Sequence, residues 1–215
     1  MRPAFIRAAG GPTIVLMTST STNDAAATTN DIAPTAPLAL APGRWAVDHA
    51  HSELGFTIRH LGISKVRGRF ARFDGDVVVG DTEATTSVTA TVELASVDTG
   101  NADRDDHVRS PDLLDVERRP AMTFRSTGVR PDGEGDADGR WHLDGELTIG
   151  DVTRPLTLTV EHGGVEDHPM GGPRHAGFEA SGEIRRSDYG IAPQFPAAVL
   201  GDVVRIELDL QLLEP

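Results

Sequence analysis

From Gly43 onward, apolar residues recur at every second position, the spacing of strands that bury one face and wet the other. The last run is the cleanest: Val204, Ile206, Leu208, Leu210 and Leu212 alternate with Arg205, Glu207, Asp209 and Gln211. Val88, Ala90, Val92 and Leu94 alternate in the same way with Thr89, Thr91 and Glu93. Shorter runs are Leu54, Phe56, Ile58; Val66, Gly68, Phe70; Met122, Phe124; Trp141, Leu143, Leu147, Ile149; Leu156, Leu158, Val160; and Phe178, Ala180, Ile184. With an opening strand from Arg44 to Asp48, the pattern predicts about eight or nine strands. Turn chemistry falls at Asp74-Gly75, from Asp132-Gly133 to Asp138-Gly139, at Gly163-Gly164 and at Gly171-Gly172-Pro173. Many strands with one polar face make a sandwich or a barrel.

One interval leaves the alternation. Asn101 is placed to cap a short helix, with Asp103, Asp105 and Asp106 in its first turn, where the helix dipole favours negative charge. Ser110-Pro111-Asp112 predicts the cap and first-turn proline of a second short helix through Leu114 and Val116. The insertion at 101–116 is therefore expected to close one end of a barrel.

Residues 1–42 differ from the rest. Their Thr-, Ser- and Ala-rich stretch has too little apolar content to fold and reads as a disordered tail ahead of one domain over 43–215. Arg2, Arg7 and the short run from Ile14 to Met17 only imitate an export signal, because Gly10, Gly11 and Pro12 interrupt the apolar stretch such a signal requires. A cytoplasmic location is expected, with secretion as the alternative. The net charge of −13 argues against a nucleic-acid partner and disfavours an anionic membrane surface. Cysteine is absent, which removes disulfides and thiol chemistry. No apolar stretch reaches the length of a membrane-spanning helix, so no stable membrane insertion is expected.

Several groups could carry chemistry. His49, His51 and His60 form a possible zinc set, but no fourth ligand is tied to them. His60 is in phase with Leu54, Phe56 and Ile58, so it is expected to point inward, either as a hydrogen-bonded core residue or as a contact to a ligand head group. Arg104-Asp105-Asp106-His107 offers an acid–base pair on the helix, for which capping and salt bridging is the better account. Lys65, Arg67, Arg69 and Arg72 lie opposite in phase to Val66 and Phe70, on a solvated face that near a rim could hold an anionic head group. The run from Asp132 to Asp136 fails the calcium-loop pattern, with Ala137 and Leu143 at the positions that need Gly and Glu. Gly68, Ala90, Ser126, Gly145, Ala180 and Gly182 fall at inward positions. They leave two readings open, a hollow interior or a filled core with bulges.

Seven motifs in order point to a family. They are the run from Asp48 to Leu61 (DHAHSELGFTIRHL), SKVRGRF from Ser64, SVDTGN from Ser96, RDDHVRSPD from Arg104, PAMTFRST from Pro120, GELTIGDVTRP from Gly145 and GEIRRSDYG from Gly182. Together they make the region from Gly43 to Leu213 resemble the YceI-like family. The resemblance implies an extended eight-stranded antiparallel barrel of lipocalin-like kind. It also implies binding of a polyisoprenoid or related amphiphile, of polyprenyl or quinone type, as a carrier or sequestering protein. A homodimer is implied, with no cofactor and no catalysis. Phe56, Ile58, Phe70, Val92, Leu94, Phe124, Leu147, Leu158, Phe178 and Ile184 are then expected to line the ligand cavity, with His60 and Arg67 at its polar end. Residues 191–196 depart from the family's pattern. An enzyme built on the histidines and a filled structural or stress-response barrel are the alternatives.

Overall fold

Each alternating run forms a strand, and the strands close on themselves. The computed structural model describes residues 40–132 and 140–215, so the expected disorder of residues 1–39 lies outside it, as does most of the Asp132 to Gly139 turn. The strands are β1 (Gly43–Val47), β2 (Glu53–His60), β3 (Ser64–Phe70), β4 (Phe73–Val79), β5 (Ser87–Glu93), β6 (Val97–Asp98), β7 (Ala121–Pro131), β8 (Arg140–Ile149), β9 (Val152–Glu166), β10 (His175–Arg185) and β11 (Leu200–Leu213). All described pairings are antiparallel.

The register shows how these segments make the predicted eight strands. β1 and β2 pair with β4 and β3 respectively, and both lie along β11. β3 and β4 in turn lie along β6 and β5. Thus β1–β2, β3–β4 and β5–β6 are three long strands, each broken once, and with β7 to β11 they close an eight-stranded barrel. Adjacent breaks let the wall bend without exposing a sheet edge.

Two expected turns are strand instead. Asp74 and Gly75 lie inside β4, where Asp74 Oδ1 accepts the Gly75 N–H at 2.8 Å. Gly163 and Gly164 lie inside β9, where the register with β10 shifts between Gly177 and Phe178. Here the glycines accommodate a bulge rather than reverse the chain.

The helix α1 spans Ala102–Arg109, and Asn101 caps it by accepting the Arg104 N–H at 2.9 Å. The second helix does not form. Residues 110–118 make turns in which the Val116 N–H returns to the Arg109 carbonyl and Asp115 takes a left-handed backbone, φ 51°. That conformation stops helical propagation and brings Leu113 and Leu114 back toward the barrel.

Buried residues from all round the ring, among them Phe70, Val92, Phe124, Leu147, Leu158 and Phe178, form one core. Leu40 and Trp45 are also almost fully buried, and the indole N–H donates to the Ala41 carbonyl at 2.9 Å, so ordered packing begins before β1.

Candidate functional site

The inward faces of the strands enclose a hollow of about 430 Å³, within the range of small-molecule pockets. Its wall is almost wholly apolar and comes from every part of the ring: Ile58, Val66, Phe70, Ala90, Val92, Phe124, Leu147, Leu158, Phe178, Ile184 and Leu208 are among the side chains facing it. The alternation on β11 shows what the hollow does to exposure. Arg205, Glu207 and Asp209 are exposed, whereas the inward Val204, Ile206 and Leu208 are only half-buried, because they also face the hollow.

The inward small residues divide into three groups. Ala90 and Ala180 open onto the hollow. Gly68, Gly145 and Gly182 do not create it. A Cβ on Gly68 would stand 2.5 Å from the Phe56 ring, one on Gly145 2.3 Å from the Phe124 ring, and one on Gly182 2.8 Å from Leu158. These glycines are seats for large neighbouring side chains, whose ends stand over them. Ser126 sits at a bulge in β7, where its Oγ accepts the Val88 N–H at 2.8 Å.

Of the residues expected at the cavity, Phe56, Ile58, Phe70, Val92, Leu94, Phe124, Leu147, Leu158, Phe178 and Ile184 all border the hollow. Two expectations need correction. Arg67 stands opposite Thr57 on the outer face and is exposed, because Val66 and Gly68 take the inward phase of β3. His60 is in the inward phase but ends its strand, so it is an exposed residue at the border of the hollow and not a core histidine.

The hollow reaches the surface beside His60. Arg104, His107 and Val199 border it there and are exposed as well. Leu113, Leu114, Ile191 and Phe195 complete this mouth. Thr99 fixes the helix at the rim: Asp105, itself buried, accepts the Thr99 N–H at 2.8 Å, while Arg104 Nε donates to Thr99 Oγ1 at 2.7 Å. Gln194 ties the opposite side to the turns after α1 by donating to the Asp112 carbonyl at 2.7 Å.

Arg186, which is buried, organises the loop from Ile191 to Gly201. Its guanidinium donates to the carbonyls of Ile191, Ala192, Phe195, Leu200 and Gly201 at 2.6–3.0 Å, using all five N–H groups. The same alternation carries the signal for it, since Arg186 follows Ala180, Gly182 and Ile184 in the inward phase. Nearby, Asp202 accepts from Ser187 and Arg185, which hold its carboxyl below the usual carboxylate range. Burial pushes the Tyr189 phenol up.

The histidine set does not assemble. His49 and His51 lie in the break between β1 and β2, facing Asp74 and Asp48 respectively, while His60 stands at the other end of β2. Among the described residues no cluster of three or more His, Asp or Glu side chains is placed to hold a metal. On α1, Asp105 is held by Thr99, Asp106 pairs with Arg109, and His107 faces Asp112 at 3.5 Å. Asp105 and Asp106 are thus taken up in capping and salt bridging.

Comparison with known proteins agrees with this architecture. The family model described as the YceI-like domain matches residues 45–212. A UPF0312 protein of Enterobacter sp. (strain 638) is 42% identical over 156 residues, covering 72% of this chain and 78% of that protein. Protein YceI of Escherichia coli O17:K52:H18 is 42% identical over 142 residues, 66% of this chain and 71% of that protein. Among solved structures, the YCEI protein of Campylobacter jejuni superposes with a TM-score of 0.64 at 28% identity, covering 74% of this chain and 90% of that one. BcnA of Burkholderia cenocepacia gives 0.65 at 23%, covering 77% and 98%. A polyisoprenoid binding domain from Saccharophagus degradans gives 0.56 at 16%, covering 80% and 98%. At those last two identities the likeness is one of fold.

Proposed function

The chain belongs to the YceI-like family, and we propose from that premise that it holds one long-chain isoprenoid or related amphiphilic lipid inside the barrel, as a carrier or sequestering protein. The observation that carries this reading is the apolar hollow with its half-buried wall. Left dry, a hollow of 430 Å³ costs on the order of 10 kcal/mol at the coefficient found for core cavities, as much as the whole stability of an ordinary domain. An apolar chain restores those contacts. A wall with so few polar groups fits a hydrocarbon body and leaves a polar head to the mouth, beside His60, Arg104 and His107. An isoprenoid body is further supported by the Saccharophagus degradans neighbour, itself a polyisoprenoid binding domain. The reading includes binding without catalysis, a homodimer and a cytoplasmic location, which rest on the resemblance.

Native mass spectrometry of freshly purified protein tests it. The expected result is a lipid of defined mass at one per barrel, lost in Val92→Arg, which sets an unpaired charge on the wall. A folded Val92→Arg protein that retained the lipid would place the ligand elsewhere.

A further inference from the structure

The tip of the β2–β3 hairpin presents apolar side chains to water beside the mouth. Leu61 is 51% exposed and Ile63 83%, and across a backbone hydrogen bond of 2.8 Å from Leu61 to the Val199 carbonyl stands Val199, 36% exposed. These are three of the four large hydrophobic residues that are exposed among the described residues, and all three lie at one end of the barrel. Scattered exposed apolar residues are ordinary, whereas a cluster at the rim of an apolar hollow marks an interaction site. Leu61 is also held at φ 53°, a left-handed turn position that suits Asn or Gly far better than a leucine.

Local charge identifies the occupant. The chain as a whole is acidic, yet no Asp or Glu occurs from Leu54 to Phe73, while Arg59, Lys65, Arg67, Arg69 and Arg72 do. Arg69 and Arg72 pair with Asp98 and Glu93, away from the tip. Arg59, Lys65 and Arg67, nearer the tip, are exposed and have no ion-pair or hydrogen-bond partner among the described residues. Of the acids near the rim, Asp106 is paired with Arg109 and Asp202 with Arg185, while Asp103 and Asp188 are exposed without an ion-pair or hydrogen-bond partner among the described residues. Toward the other end Glu161, Glu179, Asp209 and Glu53 stand side by side across four strands, Glu161 pairing with Arg140 and Glu53 with Arg69. The surface is thus polarised along β2, from Glu53 at one end to Arg59 at the other.

We propose that the β2–β3 hairpin is a docking prong for an anionic lipid bilayer. Leu61 and Ile63 enter the headgroup region, while Arg59, Lys65 and Arg67 meet the anionic headgroups. The mouth then faces the bilayer, where a lipid can pass into the hollow without crossing water. The benefit to transfer rests on the lipid-binding reading above; docking itself has a separate readout. It also amends the expectation from net charge, because a surface potential acts within about one Debye length and so reads the nearest charges first.

The experiment is flotation of the full-length protein with vesicles of phosphatidylcholine alone and of phosphatidylcholine mixed with phosphatidylglycerol. Binding is expected only to the mixed vesicles and is expected to weaken with salt. Lys65→Glu should weaken it by about fivefold or more, the worth of one cation at such a surface. Leu61→Asn combined with Ile63→Ser should weaken it at least tenfold or so, with the melting temperature unchanged or raised because Asn tolerates the left-handed turn. Wild-type protein that ignores anionic vesicles overturns the proposal. So do variants that bind as well as wild type, or that lose only a dimer on gel filtration while binding vesicles unchanged. Docking by protein that carries no lipid in native mass spectra sustains the prong and sinks the ligand reading; carried lipid without docking does the reverse.

Discussion

Ala90→Phe separates a hollow barrel from a filled one by the sign of its effect. Ala90 lies on the inner wall between Gly75 and Phe124, its cross-strand partners, and opens onto the hollow. A phenyl ring adds roughly 100 Å³, about a quarter of the hollow onto which Ala90 opens. At about 24 cal/mol per Å³ of cavity removed, the delipidated variant should gain on the order of 2 kcal/mol, or roughly 5 °C in melting temperature for a domain of this size. A filled core predicts the reverse, a loss of about 1–3 kcal/mol from overpacking. The same ring shortens the space for a ligand, so the variant should carry less lipid, or a shorter one, than wild type. The assay is differential scanning calorimetry of delipidated wild type and variant, with native mass spectrometry of both as purified. A variant that melts lower than wild type and still carries the same lipid would refute the hollow.

Other expectations follow from single contacts. Arg186→Met leaves five carbonyls without their donor and should cost about 3–5 kcal/mol, seen in thermal melts, with faster proteolysis of residues 190–199. Gly145→Ala sets a methyl 2.6 Å from the Arg125 carbonyl as well as against Phe124, and because backbone cannot give way cheaply it should lose about 2–3 kcal/mol in urea unfolding. Asp48, Asp144 and Asp202 are held below the usual carboxylate range, chiefly by hydrogen bonds from His51, Arg130 and Ser187 respectively. Each therefore binds its proton less readily folded than unfolded, and the stability it adds is complete above the unfolded value and lost as pH falls through the folded one. The melting temperature should hold from neutrality to about pH 5 and fall below about pH 4.

How much of this was legible in the sequence depends on what each feature needs. Strand faces require only period two, so the wall residues from Phe56 to Ile184 could be named in advance, and the structure puts them on the hollow. Strand ends need more. His60 has the right phase, but phase does not reveal that the chain turns at Leu61 and leaves the ring at the rim. Arg67 is outward in phase and stands outside the ring, whereas Arg186 is inward in phase and is buried at the rim. The second helix failed because a cap and a first-turn proline say how a helix begins, not whether the chain continues it; Asp115 turns left-handed instead.

The glycines carry the more general lesson, because small residues at inward positions leave a hollow and a filled core equally open in the sequence. Gly68, Gly145 and Gly182 face inward and yet leave no space, since Phe56, Phe124 and Leu158 occupy it. Side-chain volume at one position does not fix the volume left over; the neighbour's rotamer does. The hollow instead follows from the ring. An eight-stranded barrel is only just wide enough to be filled, and here the ring ends of Phe56 and Phe124 stand over glycines of the wall. The glycines thus make room indirectly, by drawing aromatic bulk into the wall. That argument ties Gly145 to Ala90. One substitution lifts a ring off the wall and the other adds a ring to the centre, so both should diminish the lipid carried, through opposite effects on the stability of the lipid-free barrel.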